Sequence, residues 1–225
     1  MTDRKLLLRW AIANAIGMAL GLLVFIQTLM FLGFGLDFGQ HWSSEAVESF
    51  GAENPEYAER LLRIGLVVGL PLAGAILTSC QAFVLRGLLP HVRTWILAGP
   101  LGFAAVILLI WPFTAIWGDI PGPVEPFTIV GGGLSMTAMI QWWSLRRRNI
   151  AGTRWLVLWL VGLPLGMVVF MLAYTLLDAV IAPGEQYSIG WAGTVALIGF
   201  FIGGTAAAIN GKSLFRAISS APAGD

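Results

Sequence analysis

Six long stretches of this chain are almost empty of charge, and that emptiness limits the folds open to it more than any other feature. They run at about 10–34, 61–85, 95–117, 127–145, 155–181 and 189–209. At 1.5 Å per helical residue, each is long enough to cross hydrocarbon roughly 30 Å thick. A backbone in lipid must satisfy its own hydrogen bonds, so the stretches are expected to be helices. A barrel would need alternating apolar and polar residues, and that pattern is absent. Composition agrees. Hydrophobic residues make up 57% and charged residues 11% of the 225, against about 25% charge in an ordinary soluble domain. Too few polar groups exist to cover a water-facing surface. The fold expected is an all-α polytopic membrane protein with six transmembrane helices in one domain over 1–225. The apolar run after Arg9 exceeds the h-region of a cleaved signal and reads as a retained first span.

Charge between the spans is segregated by sign. Arg4, Lys5, Arg9, Arg86, Arg93, Arg146, Arg147, Arg148, Arg154, Lys212 and Arg216 fall on one side, eleven of the 13 basic residues. The other side holds ten of the 12 acids, among them Asp37, Glu45, Glu48, Asp119, Asp178 and Glu185. The positive-inside rule then puts both termini in the cytoplasm, in a bacterial plasma (inner) membrane.

A repeat runs through the spans. Trp10, Trp95 and Trp155 each open an odd-numbered span, each with a glycine seven residues on: Gly17, Gly102 and Gly162. Gln81-Ala-Phe-Val-Leu-Arg86 and Gln141-Trp-Trp-Ser-Leu-Arg146 close the second and fourth spans, and Asn210-Gly-Lys-Ser-Leu214 with Arg216 is a fainter third. From Gln81 to Trp95 is fourteen residues, and from Gln141 to Trp155 fourteen again. This predicts three repeated two-helix hairpins, at about 6–87, 93–148 and 153–217, related by an axis along the membrane normal. Inserted length falls only on the outer side, as in repeat arrays whose variable loops share one face. The longest insertion, 36–60, is expected to be an extracytoplasmic loop with a short surface helix near Ser43–Phe50. Asn54-Pro55-Glu56 then starts the second helix, which Pro71 is expected to kink or to leave with an open backbone carbonyl. Residues 218–225 read as a flexible tail.

Small residues recur along single helix faces: Gly17 and Gly21, Gly65 and Gly69, Gly102, Gly162 and Gly166, Gly199 and Gly203. Such stripes let backbones approach closely, which drives helix association in lipid. Trp10, Trp95 and Trp155, with Arg86, Arg146 and Arg216, read as aromatic-belt and snorkelling anchors at the cytoplasmic interface. Gln81, Gln141 and Asn210 lie about one turn inside that interface. They read first as interhelical glue and second as a polar ring at the mouth of a central cavity.

Motifs for chemistry are missing. The two histidines, His41 and His91, fall in loops, which argues against a haem held by two buried imidazoles. No zinc spacing, P-loop or nucleophile elbow occurs. Gly131-Gly-Gly133 reads as packing. The one cysteine, Cys80, excludes an internal disulfide. No carboxylate lies deep in a span, which counts against a proton-coupled pump.

The Trp-x6-Gly and Gln-x3-Leu-Arg hairpins, carried here by Gln81, Leu85, Arg86, Gln141, Leu145 and Arg146, resemble a group of small six-span bacterial membrane proteins. In that group, segments such as Q-W-L-V-L-R-R recur between glycine-rich spans. The third copy departs, with Asn210 and Gly211 in place of Gln and an aromatic. The resemblance implies a fold and no transferable function. In size and span count the chain is also similar to substrate-binding subunits of energy-coupling-factor vitamin transporters.

Many packing features and few chemical ones point to a non-enzymatic accessory or scaffold subunit of a larger bacterial membrane complex. Its expected partners are membrane lipid and other membrane-protein subunits, not nucleic acid. No cofactor is required, though the aromatic grooves suit a bound lipid, quinone or carotenoid. The alternative is a small-solute or vitamin-binding transport protein with its site on the pseudo-threefold axis.

Overall fold

The computed structural model describes residues 3–34, 55–89, 92–117, 124–148, 150, 152–180 and 189–220. Six helices fill these ranges: α1 (Asp3–Phe34), α2 (Pro55–Leu85), α3 (Val92–Trp117), α4 (Val124–Arg146), α5 (Thr153–Val180) and α6 (Ile189–Ser219). Four of them, α1, α2, α3 and α6, carry stretches long and apolar enough to cross a bilayer, and a shorter apolar stretch, Thr153–Gly166, lies in α5. The structure is thus all-helical among the described residues and compatible with a multi-pass membrane protein. The expected surface helix near Ser43–Phe50 lies outside the described residues, as do the acids Asp37 and Asp119.

Helix bounds follow local chemistry. α2 starts at Pro55, where a residue without an N–H removes one of the donors that the first turn leaves unpaired. It runs unbroken through Pro71, and α5 does the same through Pro164. α6 continues ten residues past the expected end at 209 and two into the expected tail. Asn210-Gly211 does not break it. Gly211 instead lets the Trp10 ring lie against the helix, at 2.7 Å from where a β-carbon would stand. The α2–α3 and α4–α5 connections are short. The amides of Leu88 and Leu89 donate to the Leu85 carbonyl, and Ile150 donates to Leu145, which ties down end carbonyls a helix otherwise leaves unpaired.

Neighbouring helices pack in chain order, and α1 against α6 completes a ring. The core holds Trp10, Trp95, Trp155, Leu77, Leu85, Phe103, Leu134, Leu145 and Leu214. Large apolar side chains also face outward, among them Leu8, Leu72, Leu101, Leu108 and Leu165. Buried polar side chains are Asn14, Thr78, Gln81, Thr137, Gln141 and Asn210. Apolar outside with polar inside inverts the arrangement water imposes, and it suits a lipid solvent, which gains nothing by burying leucine.

Close approach within each hairpin falls at equal offsets. The glycine seven residues after the tryptophan meets the residue four before the amide: Gly17 on Leu77, Gly102 on Thr137, Gly162 on Ala206. One turn further, Gly21 meets Ala73 and Gly166 meets Ile202. In the middle hairpin Val106 stands in the place of Gly21 and meets Gly132, one residue off the offset of Ala73 and Ile202, while Gly133 at that offset meets Phe103. Of the other stripe glycines, Gly69 packs on Phe25 of α1. The surroundings of Gly65 lie outside the described residues.

Candidate functional site: a buried amide–indole network

The three tryptophans that open the odd-numbered helices are not lipid-facing belt residues. Trp10, Trp95 and Trp155 are 0–1% exposed. They stand side by side, Trp10 edge-on to Trp95 at 6.4 Å between ring centres and Trp95 tilted against Trp155 at 5.7 Å. For Trp10 and Trp95 the cause is the amides beneath them, Asn210 and Gln81. An indole is apolar except for one N–H, so burial stabilises it once that N–H finds an acceptor. Arg86, Arg146 and Arg216 are exposed, with Arg86 over Phe83 at 4.3 Å and Arg146 facing Trp142 at 5.3 Å.

Gln81 is the hub. The Trp95 indole N–H donates to Gln81 Oε1 at 2.9 Å, and Gln141 Nε2 donates to the same oxygen at 2.8 Å. Gln81 Nε2 in turn donates to Asn14 Oδ1 at 2.7 Å, and Asn14 Nδ2 to the Trp10 carbonyl at 2.9 Å. The Trp10 indole donates to Asn210 Oδ1 at 3.1 Å. An indole N–H can only donate, so the Gln81 atom facing Trp95 must be the oxygen. That assignment fixes the direction of every later bond in the chain. The network joins α1, α2, α3, α4 and α6. In lipid each such bond between helices contributes about 0.6–2 kcal/mol.

Gln81, Gln141 and Asn210 therefore do come together, with Asn210 joined through Trp10 and Asn14. Asn14 stands one turn after Trp10 and so on the same face, which is the one signal the sequence holds for its part in the network. Gln27, another polar residue inside a span, is exposed.

The network is incomplete at Gln141, Trp155 and Asn210. Gln141 Oε1, Trp155 Nε1 and Asn210 Nδ2 are buried and have no hydrogen-bond partner among the described residues. Trp10 pairs with Asn210 and Trp95 with Gln81, so the remaining combination is Trp155 with Gln141, and both of its atoms are orphans. The reason lies one turn deeper, where the hairpins meet. Gly74, seven residues before Gln81, meets Gly99, four after Trp95. Gly203, seven before Asn210, meets the Asn14 backbone, four after Trp10. The corresponding residues at the third junction are Leu134 and Trp159. Trp159 reaches the Leu134 carbonyl only through a long 3.5 Å bond from its indole. Two large side chains stand where the other junctions have at most one small one, and α4 meets α5 along a much shorter contact than any other consecutive pair.

Thr78 reinforces the tight α2–α3 junction. Its hydroxyl proton is shared between the Gly74 carbonyl at 2.8 Å and the Ile96 carbonyl of α3 at 2.7 Å. Ala138 and Ala207 hold the same position in the other even-numbered helices. What this arrangement does chemically is hold helices. Gln81 spends both of its amide atoms inside the protein. Among residues with described side chains, no group of three histidine, cysteine or carboxylate residues is placed to hold a metal. No family model, no curated protein and no solved structure matches this chain.

Proposed function

We propose that this chain is a non-enzymatic integral membrane subunit that serves as an accessory or scaffold within a larger bacterial membrane complex. In this reading all six helices span, as one hairpin used three times, with both termini cytoplasmic and the eleven basic residues of 4–9, 86–93, 146–154 and 212–216 on the inner rim. The observation that supports it best is how the buried polar groups are used. Most of the bonds they make run from helix to helix, while large apolar side chains cover the outside. The equal offsets of Gly17, Gly102 and Gly162 against Leu77, Thr137 and Ala206 support the threefold repeat. Gln81, at the centre of the network, has both amide atoms bonded within the protein, while Gln141 Oε1 and Asn210 Nδ2 are the amide atoms a carrier could still offer a cargo.

Purification of the native protein in mild detergent, followed by mass spectrometry, tests the proposal. Co-elution with other membrane proteins in fixed ratio is the expected result. A lone monodisperse monomer that moves a solute across vesicles would overturn it. Reporter fusions at residues 2, 120, 150 and 222 test the topology, and 120 alone should report from outside.

A further inference from the structure

The start of α5 and the end of α6 enclose an open groove of about 550 Å³. Arg154 from α5 and Lys212 and Arg216 from α6 line it, with Ser213 between the last two and Leu158 and Ile209 among the apolar residues. None of its lining residues is a carboxylate. A positive charge in the first turn of α5 sits against the positive end of that helix dipole, an arrangement that costs a few tenths of a kcal/mol or more. An anion in the groove would remove this penalty and answer all three cations together. The guanidinium fork matches a phosphate through paired charge-assisted bonds. Beyond Arg154 on the same face of α5 come Leu158, Val161 and Leu165, the last two exposed. A cationic head thus leads onto an apolar track.

We infer that this groove binds the phosphate headgroup of an anionic phospholipid, whose acyl chain lies along Leu158, Val161 and Leu165. The inference rests on the membrane reading above and gives its lipid contact a place and a charge. Soluble phosphates share the headgroup chemistry but have no use for the apolar track.

The test uses full-length protein in neutral detergent, with thermal unfolding followed by tryptophan fluorescence as phosphatidylglycerol, phosphatidylcholine or inorganic phosphate is added. Phosphatidylglycerol should raise the midpoint at far lower concentration than either of the others. Each removed charge should weaken its apparent affinity about fivefold, so the pair Lys212→Gln with Arg216→Gln should lose roughly 25-fold. Arg216→Lys should keep most of the binding, which separates charge from folding. The pair Arg86→Gln with Arg147→Gln, on the same basic rim but outside the groove, should bind as the parent does. Equal loss in the two pairs, or no loss in the groove pair, overturns the inference. Equal stabilisation by inorganic phosphate overturns the lipid as its source. A chain that stays monodisperse without detergent would instead remove the membrane reading itself.

Discussion

Two junctions between hairpins show what a small residue does in this fold. At the α2–α3 junction Gly74 and Gly99 bring two backbones into contact, and the amide and indole above them, Gln81 and Trp95, are close enough to bond. At the α4–α5 junction Leu134 and Trp159 hold the same positions, and above them Gln141 Oε1 and Trp155 Nε1 are both unpaired. Gln81 to Trp95 and Gln141 to Trp155 are each fourteen residues apart. The difference teaches that the amide–indole bond is set from below, by the bulk where the helices cross. The repeated motif supplies the groups but does not bring them within reach.

The largest effect should come from enlarging the tight junction. A β-carbon on Gly99 would overlap the Gly74 carbonyl and lie 2.6 Å from Thr78 Oγ1. Gly99→Leu should therefore cost about 3 kcal/mol or more and abolish a single species on size exclusion in detergent. Leu134→Met, at the loose junction, should cost less than about 1.5 kcal/mol. A fully folded Gly99→Leu protein would break the comparison.

Next come the two glutamines. Gln81→Leu strands Trp95 Nε1, Gln141 Nε2 and Asn14 Oδ1 together, and each orphaned group costs about 1–3 kcal/mol. Gln141→Leu gives up the bond to Gln81, leaves Gln81 Oε1 still paired with Trp95, and should cost about 1 kcal/mol. Denaturant unfolding of both variants in the same micelle checks the order. Equal losses would mean that Gln81 is not the hub.

The smallest effect should come from removing an indole N–H that is already unpaired, with a paired one as its reference. Trp10→Phe takes the donor from Asn210 Oδ1 and should cost about 1–3 kcal/mol. Trp155→Phe deletes an N–H that is already unpaired. The relief of that orphan should offset much of the lost ring area, leaving stability within about 1 kcal/mol of the parent.

Much of this was legible in the sequence. Lack of charge in long runs anticipated six helices, all present among the described residues. The Trp-x6-Gly spacing anticipated which glycines lie at crossings, and Gly17, Gly102 and Gly162 do. Gln81, Gln141 and Asn210, expected about one turn inside the interface, read first as glue, and each does bond to another helix. The tryptophans were misplaced because a ring at a span end reads equally as belt or core. Only the partner of its N–H decides, and that partner sits fourteen residues away on another helix or, for Trp10, two hundred residues away. The loose junction left a trace as well. Aligning the hairpins puts Leu134 beside Gly74 and Gly203, and Trp159 beside Gly99 and Asn14. The trace carries meaning only once those two faces are known to meet.

The most direct test is a pair of double-mutant cycles measured by unfolding in one detergent. One crosses Trp95→Phe with Gln81→Leu, and the other crosses Trp155→Phe with Gln141→Leu. A coupling of about 1–2 kcal/mol in the first cycle and close to zero in the second is the result predicted here. Equal couplings in the two cycles would contradict it, because they would mean that Leu134 and Trp159 do not hold the third pair apart.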